Sequence, residues 1–210
     1  MDKKMLAGVV LFGSIWGMLE CILGDLLRDN NLPAGAVMSG IVAITLMTYT
    51  RMVFKKRGMQ LGMAGIASAL RLTNPFTGCL ICSAIAILIE GIVFELIWYN
   101  TFDLRDFRKV DVASLGVITA YLCYVSGFIA TQILTPLLTA MSFNVSDLFA
   151  FMPQIFAKGL PAGILGAVSL PLVSYARSYD IRRVKSSLYY PATACITLLC
   201  WVIAIVNAMM

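Results

Sequence analysis

Three ionisable side chains interrupt apolar stretches of this 210-residue sequence: Glu20 in GSIWGMLECILGD, Glu90 in IAILIEGIVFELIWYN and Lys158 in FMPQIFAKGLPAGILG. A charge in such a setting is costly, so it faces a bundle interior or a polar cavity and meets a counter-charge, backbone or a ligand. Trp16, Glu20 and Gly24 recur at i, i+4 and i+8 and share one helical stripe, while Gly13 and Gly17 form the neighbouring stripe. The first helix thus offers a polar-aromatic seam beside a small-residue seam. Gly13 and Gly17 are expected to dock a partner helix, with packing inside the chain as the alternative reading.

Glu90 shares a face with Ser83 and Phe94. Glu95, five residues on, is turned away by about 140° and lies near the helix end, where it meets basic residues. Counted from the outer helix ends at 1.5 Å per residue, Glu90 and Lys158 both lie roughly 15 Å deep. Two roles are open to Lys158: an ion pair with Glu90, or a grip on an anionic group of a ligand. Pro153, Pro161 and Pro171 surround it, and each removes an N–H and frees a carbonyl one turn earlier. That setting favours an open cavity and the ligand role. Trp16, Glu20, Glu90 and Lys158 are therefore the candidate ligand-binding residues.

Other chemistries find little support. The chain has no His, which disfavours His-dependent proteases and His-ligated metal carriers. Cys79-x-x-Cys82 is a lone pair at a helix end, and all six Cys lie in or beside apolar runs, so they are expected to pack as small hydrophobes without a disulfide framework. Asp103-x-x-Asp106 lacks the further acidic and glycine pattern of a metal-dependent phosphotransferase. Gly58, Gly62 and Gly65 are not followed by the Lys-Ser/Thr of a phosphate loop. No enzyme activity, cofactor or metal is expected, and any ATP hydrolysis must come from another subunit.

The elements that position these residues follow from the charge pattern. The chain is 60% hydrophobic, only 13% charged, and carries a net charge of +5, with a mean hydropathy of +0.88. Thirteen of the sixteen Lys and Arg fall in four clusters: 3–4, 51–57, 105–109 and 177–185. Between successive clusters the chain is long enough to cross a bilayer twice. That is the positive-inside pattern of a multi-pass membrane protein, with the clusters on the cytoplasmic side against anionic headgroups or an acidic partner. Arg28, Arg71 and Lys158 lie outside the clusters and carry more information.

About 20 apolar residues make one span. The predicted helices are Met5–Leu27, Ala34–Phe54, a short one at Met59–Leu72, Cys79–Tyr99, Val112–Leu138, Leu148–Tyr175 and Leu188–Met209, with the N-terminus cytoplasmic. Asn74, Pro75 and Gly78 break the chain outside, and MSFNVSD is a second external turn. Trp98 and Tyr99 suit an interfacial belt. The expectation is an all-α polytopic protein of the cell membrane forming one transmembrane domain: a six-helix core over residues 1–176 and an additional helix over 188–209.

Three stretches resemble the substrate-binding (S) subunits of energy-coupling factor transporters, which import vitamins and other micronutrients. They are the Gly-rich first helix, the PAGAVMSGIVAITLM helix after a short external turn, and GMQLGMAGIASALRLTN followed by IAILIEGIVFEL. The likeness covers about residues 5 to 176 and leaves the seventh helix as an addition. It implies a six-helix bundle with a cytoplasmic N-terminus, a small-molecule ligand held in the outer half, a transmembrane coupling subunit and separate ATPase subunits. Family members often meet the coupling subunit through an AxxxA face on the first helix, where this chain has Gly13 and Gly17. The family's site depth matches Lys158, with Glu20 and Trp16 as a floor. Two other readings stand beside it: a stand-alone transporter or channel using Glu20, Glu90 and Lys158 as a relay, and a structural membrane subunit or an intramembrane enzyme of unknown chemistry.

Overall fold

The structure, a computed structural model, describes residues 3–73, 80–101, 103–104, 107–139, 144–176 and 180–209. Among these residues there are helices and no strands: α1 (Lys3–Asp29), α2 (Ala34–Phe54), α3 (Met59–Leu72), α4 (Leu80–Ile97), α5 (Lys109–Leu138), α6 (Val145–Ala176) and α7 (Ser186–Met209). Six of them are long and apolar enough to cross a membrane, and α3 is the exception. The chain is an all-α polytopic membrane protein. The sequence-predicted breaks at Asn74, Pro75 and Gly78 lie outside the described residues.

With 14 residues, α3 is about 21 Å long, well short of a ~30 Å hydrocarbon core. It is nonetheless largely enclosed. Met59, Met63, Ala64, Ala67 and Leu70 are fully buried, because α3 is wedged between α1 and α4. Its entry is set by a tight turn. Lys55 takes a left-handed conformation (φ 52°) and ends α2, and Gly58 (φ 79°) starts α3. Small residues hold the neighbours close. A Cβ on Gly91 of α4 would fall 2.5 Å from the Ala64 Cβ.

On the other side, α5 and α6 form the largest helix pair. They cross at Gly116 and Gly166, where a Cβ on either residue would overlap the other's carbonyl oxygen. α2 lies against α6 through Gly40, whose Cβ would sit 2.7 Å from the Ala162 carbonyl oxygen. α6 stays helical through Pro153, Pro161 and Pro171. α7 packs along α1. Trp201 Nε1 donates to Ser14 Oγ at 3.0 Å, Tyr189 OH to the Lys4 carbonyl at 3.0 Å and Asn207 Nδ2 to the Cys21 carbonyl at 3.5 Å.

Two basic clusters prove to be partly structural. Arg51 is fully buried and is not a lipid-facing charge. Its guanidinium pairs with Glu95 (3.1 Å) and donates to the carbonyls of Lys56, Trp98, Tyr99 and Thr101. A cation is thereby placed on the carbonyl end of α4, the negative end of the helix dipole. This is the basic partner that the position of Glu95 called for. Lys4 donates to the carbonyls of Arg182 and Val184 at 3.0 Å each, which ties the start of α1 to the turn before α7. Trp98 is not in an interfacial belt. It is fully buried, stacked on Phe94 at 5.0 Å, with its indole N–H on Thr119. Tyr99 is exposed and carries Arg57 over its ring at 3.8 Å.

The cysteine expectation is corrected at one position. Cys82 is disulfide-bonded, whereas Cys21, Cys123, Cys195 and Cys200 form no disulfide. Cys79 lies outside the described residues, as does Asp106. Asp103 forms an ion pair with Lys55 at 3.2 Å.

Candidate functional site

Glu90 sits mid-way along α4 and is 5% exposed. One carboxyl oxygen accepts a short hydrogen bond from Ser39 Oγ of α2. The other, Oε2, is buried and has no hydrogen-bond partner. A buried polar atom in that state costs about 1–3 kcal/mol, so its survival asks for an explanation. The explanation lies beside it. Glu90 lines a cavity of about 240 Å³ together with Gly35, Ser39, Ser83, Tyr124 and Thr131.

The local backbone brings these groups together. α2 opens into a π-helical turn over Met38–Ala43, with Ser39 and Gly40 inside it. A π-turn inserts one extra residue and rotates the side chains after it, a distortion frequent at functional sites. Ser39 is thereby aimed at α4 while Gly40 keeps contact with α6. Gly35 at the cavity edge leaves room for Tyr124, whose ring carbon would be 3.1 Å from a Cβ there. Tyr124 and Phe128, one turn apart on α5, make an aromatic wall with ring centroids 6.0 Å apart. Cys82 also lines the cavity and lies one turn inside α4. Glu90 is eight residues further, about 12 Å deeper. Along α4, Cys82 and Glu90 therefore mark the two ends of the cavity.

The other sequence-selected residues are placed differently. Lys158 is exposed on α6 and makes no ion pair with Glu90. It borders a separate, smaller space of about 140 Å³ with Gln132, Phe151 and Gln154, and Phe128 is shared between the two spaces. The Glu90–Lys158 pair, one of the two roles open to the lysine, does not form because the face of α6 that meets α5 runs through Gly159, Gly163 and Gly166, and Lys158 projects beside that face. Trp16 is fully buried and donates its indole N–H to Glu20 Oε1 at 3.2 Å, so the i, i+4 seam exists. Neither residue lines the Glu90 cavity, so they are not its floor. Glu20 instead opens a second π-helical turn, Glu20–Gly24, which touches the one in α2.

Gly13 and Gly17 are occupied inside the chain. A Cβ on Gly13 would lie 2.7 Å from the Met63 carbonyl oxygen and from the Ile66 Cβ, and one on Gly17 would lie 3.0 Å from Ala67 Cα and O. The seam is filled by α3 and leaves no space for a partner helix. An adjacent face of α1 is taken by α7 through Ser14.

A buried ion pair was not foreseen. Arg71 of α3 meets Asp25 of α1 in a two-pronged contact and also reaches the Glu20 carbonyl at 3.3 Å. Arg71 lay outside the basic clusters, which was its signal. Asp25, five residues beyond Glu20, could have been read as its partner had the closeness of α1 and α3 been known.

No group of three or more His, Cys, Asp or Glu suited to hold a metal occurs among the described residues. Comparison with protein-family models, with curated proteins and with solved structures gave no match.

Proposed function

We propose that this chain is a membrane-embedded binding protein for a small ligand, acting in the cell membrane as the substrate-capturing part of a multi-component importer. The observation that carries the reading is the cavity at Glu90. It has the features of a ligand site: an apolar and aromatic wall, a few convergent hydroxyls, and one buried carboxyl with a vacant acceptor. The chain contains no nucleotide-binding motif, so uptake against a gradient by this route draws its energy from ATPase subunits through a transmembrane coupling subunit. The resemblance to S subunits of energy-coupling factor transporters points the same way, with the ligand in the outer half.

A specific observation favours a second reading, transport by the chain alone. α1, the helix through which S subunits often meet their coupling subunit, has its glycine seam filled by α3 and a flanking face covered by α7. Under this reading Glu90 and Glu20, each beside a π-turn, take part in the transport cycle itself.

Native mass spectrometry of the purified chain tests the shared core of both readings. A small mass released on unfolding, and lost when Ser83→Leu fills the cavity, is the expected result. A chain that retains no ligand and is stabilised by no compound of a micronutrient library is not a binding protein. Copurification with an ATPase and a coupling protein selects the importer. Uptake in proteoliposomes containing this chain alone selects the second reading.

A further inference from the structure

The lining of the Glu90 cavity also restricts what can bind there. Among the described lining residues Glu90 is the one carboxylic acid, and none is Lys or Arg. Lys158, the cation that the sequence offered as a counter-charge, is exposed and borders a different space. Ser39 supplies a hydrogen to one oxygen of Glu90 and leaves Oε2 with none. An ionised Glu90 is matched by an incoming group that brings a donor, and a charge-assisted donor interacts with a carboxylate about twice as strongly as a neutral one. A carboxylate or phosphate on the ligand would face Glu90 with no compensating cation among the described lining residues, an arrangement strongly disfavoured in a low-dielectric interior.

The rest of the wall suits the body of such a ligand. Tyr124 and Phe128 present two tilted rings, and aromatic faces attract an ammonium within about 6 Å of the ring centroid. Ser83 and Thr131 add hydroxyls along the cavity. A space of about 240 Å³ admits a ligand of roughly one ring with a short side chain, below the ~300–1,000 Å³ of sites for drug-sized molecules.

We propose that the cavity binds a small organic cation, a protonated amine or quaternary ammonium on an apolar or aromatic body, with the cationic head on Glu90 and the body along Tyr124 and Phe128. This rests on the reading of the cavity as a ligand site.

The test uses the full-length chain in phosphatidylcholine nanodiscs at pH 7, with three probes of matched shape and different charge: phenethylamine, phenethyl alcohol and phenylacetate. Benzyltrimethylammonium serves as a fixed-charge control. The two cations should raise the unfolding midpoint in a saturable way. The alcohol should bind at least tenfold more weakly, and phenylacetate should give no shift. Glu90→Gln keeps an acceptor for Ser39 and should weaken phenethylamine at least tenfold. Ser83→Leu, which leaves Glu90 in place and fills the space, should abolish the shift and keeps the test valid if Glu90→Gln folds poorly. If the alcohol or the acetate stabilises as well as the amine, or if Glu90→Gln binds the amine unchanged, the cation assignment is overturned while the cavity remains a ligand site. If neither cation binds, the assignment is likewise overturned, and the retained ligand seen by native mass spectrometry then decides separately whether the cavity binds anything.

Discussion

Asp25 and Arg71 face each other edge to edge across α1 and α3, with Oδ1 2.7 Å from Nη2 and Oδ2 3.0 Å from Nη1. Both are more than nine-tenths buried. The two partners are not equivalent. Asp25 also accepts from a second guanidinium, that of Arg28, at 3.1 Å, whereas Arg71 adds the Glu20 carbonyl to its contact with Asp25 and leaves its Nε without a hydrogen-bond partner. Removing one member of a buried pair costs roughly 3–5 kcal/mol, because the other is left uncompensated. Asp25→Ala should therefore lower stability by about that amount. Arg71→Met should cost clearly less, since Arg28 still neutralises Asp25. The Asp25→Ala/Arg71→Met double variant should be more stable than Asp25→Ala alone. Thermal unfolding of the four proteins in one detergent checks the order, and equal losses for the two single variants would contradict it.

The glycines of the α1–α3 region make a contrasting pair of substitutions. At Gly17 an added Cβ meets the Ala67 backbone at 3.0 Å, and at Gly65 it meets nothing within 4 Å. Gly17→Ala should cost roughly 1–3 kcal/mol through overpacking. Gly65→Ala should be neutral or stabilising by up to about 1 kcal/mol, as expected where alanine replaces an unconstrained helical glycine. Both effects should appear in the isolated chain. A Gly17→Ala protein as stable as the parent, impaired only in assembly with another subunit, would return the seam to a docking role.

Arg51 tests whether charge or geometry matters at the end of α4. Its fork spans a carboxylate and carbonyl contacts that a single ammonium cannot reach together: Glu95, Trp98 and Thr101 lie on different nitrogens. Arg51→Lys keeps the charge, yet it should lose at least half of the stability lost by Arg51→Ala. Denaturation midpoints of the two variants decide this, and a lysine protein matching the parent would make the charge alone sufficient.

The turn before α7 carries an acid-sensitive element outside the spans. Arg182 donates to Asp180 from its backbone N–H, Nε and Nη2 at 3.0–3.1 Å. These bonds, led by the Arg182 side chain, hold the Asp180 carboxyl below the usual aspartate range. A depressed folded pKa stabilises the turn above the unfolded value of 3.8, and that contribution disappears as pH falls through the folded value. Limited proteolysis within 180–186 should be slow at neutral pH and speed up below about pH 4. Asp180→Asn should show the faster rate at every pH. An unchanged cleavage rate in Asp180→Asn would mean that the turn is held by other contacts.

The sequence by itself determined the membrane class, six of the spans and the short third helix, because these depend on the length and composition of contiguous segments. It also determined the Trp16–Glu20 contact, which needs only a one-turn spacing on one helix. Tertiary structure decided everything that joins distant segments. Ser39 reaches Glu90 only because α2 opens into a π-turn against α4, and no periodicity in MSGIVA announces that extra residue. Lys158 and Glu90 share a depth by residue count, but depth along a helix leaves its rotation open, and the Gly159–Gly163–Gly166 face of α6 sets a rotation that puts the lysine outside. Gly13 and Gly17 were legible as a close-contact face, while their partner was not. Whether α3 or a second chain fills such a seam depends on which helices are adjacent, and adjacency is a property of the packed bundle.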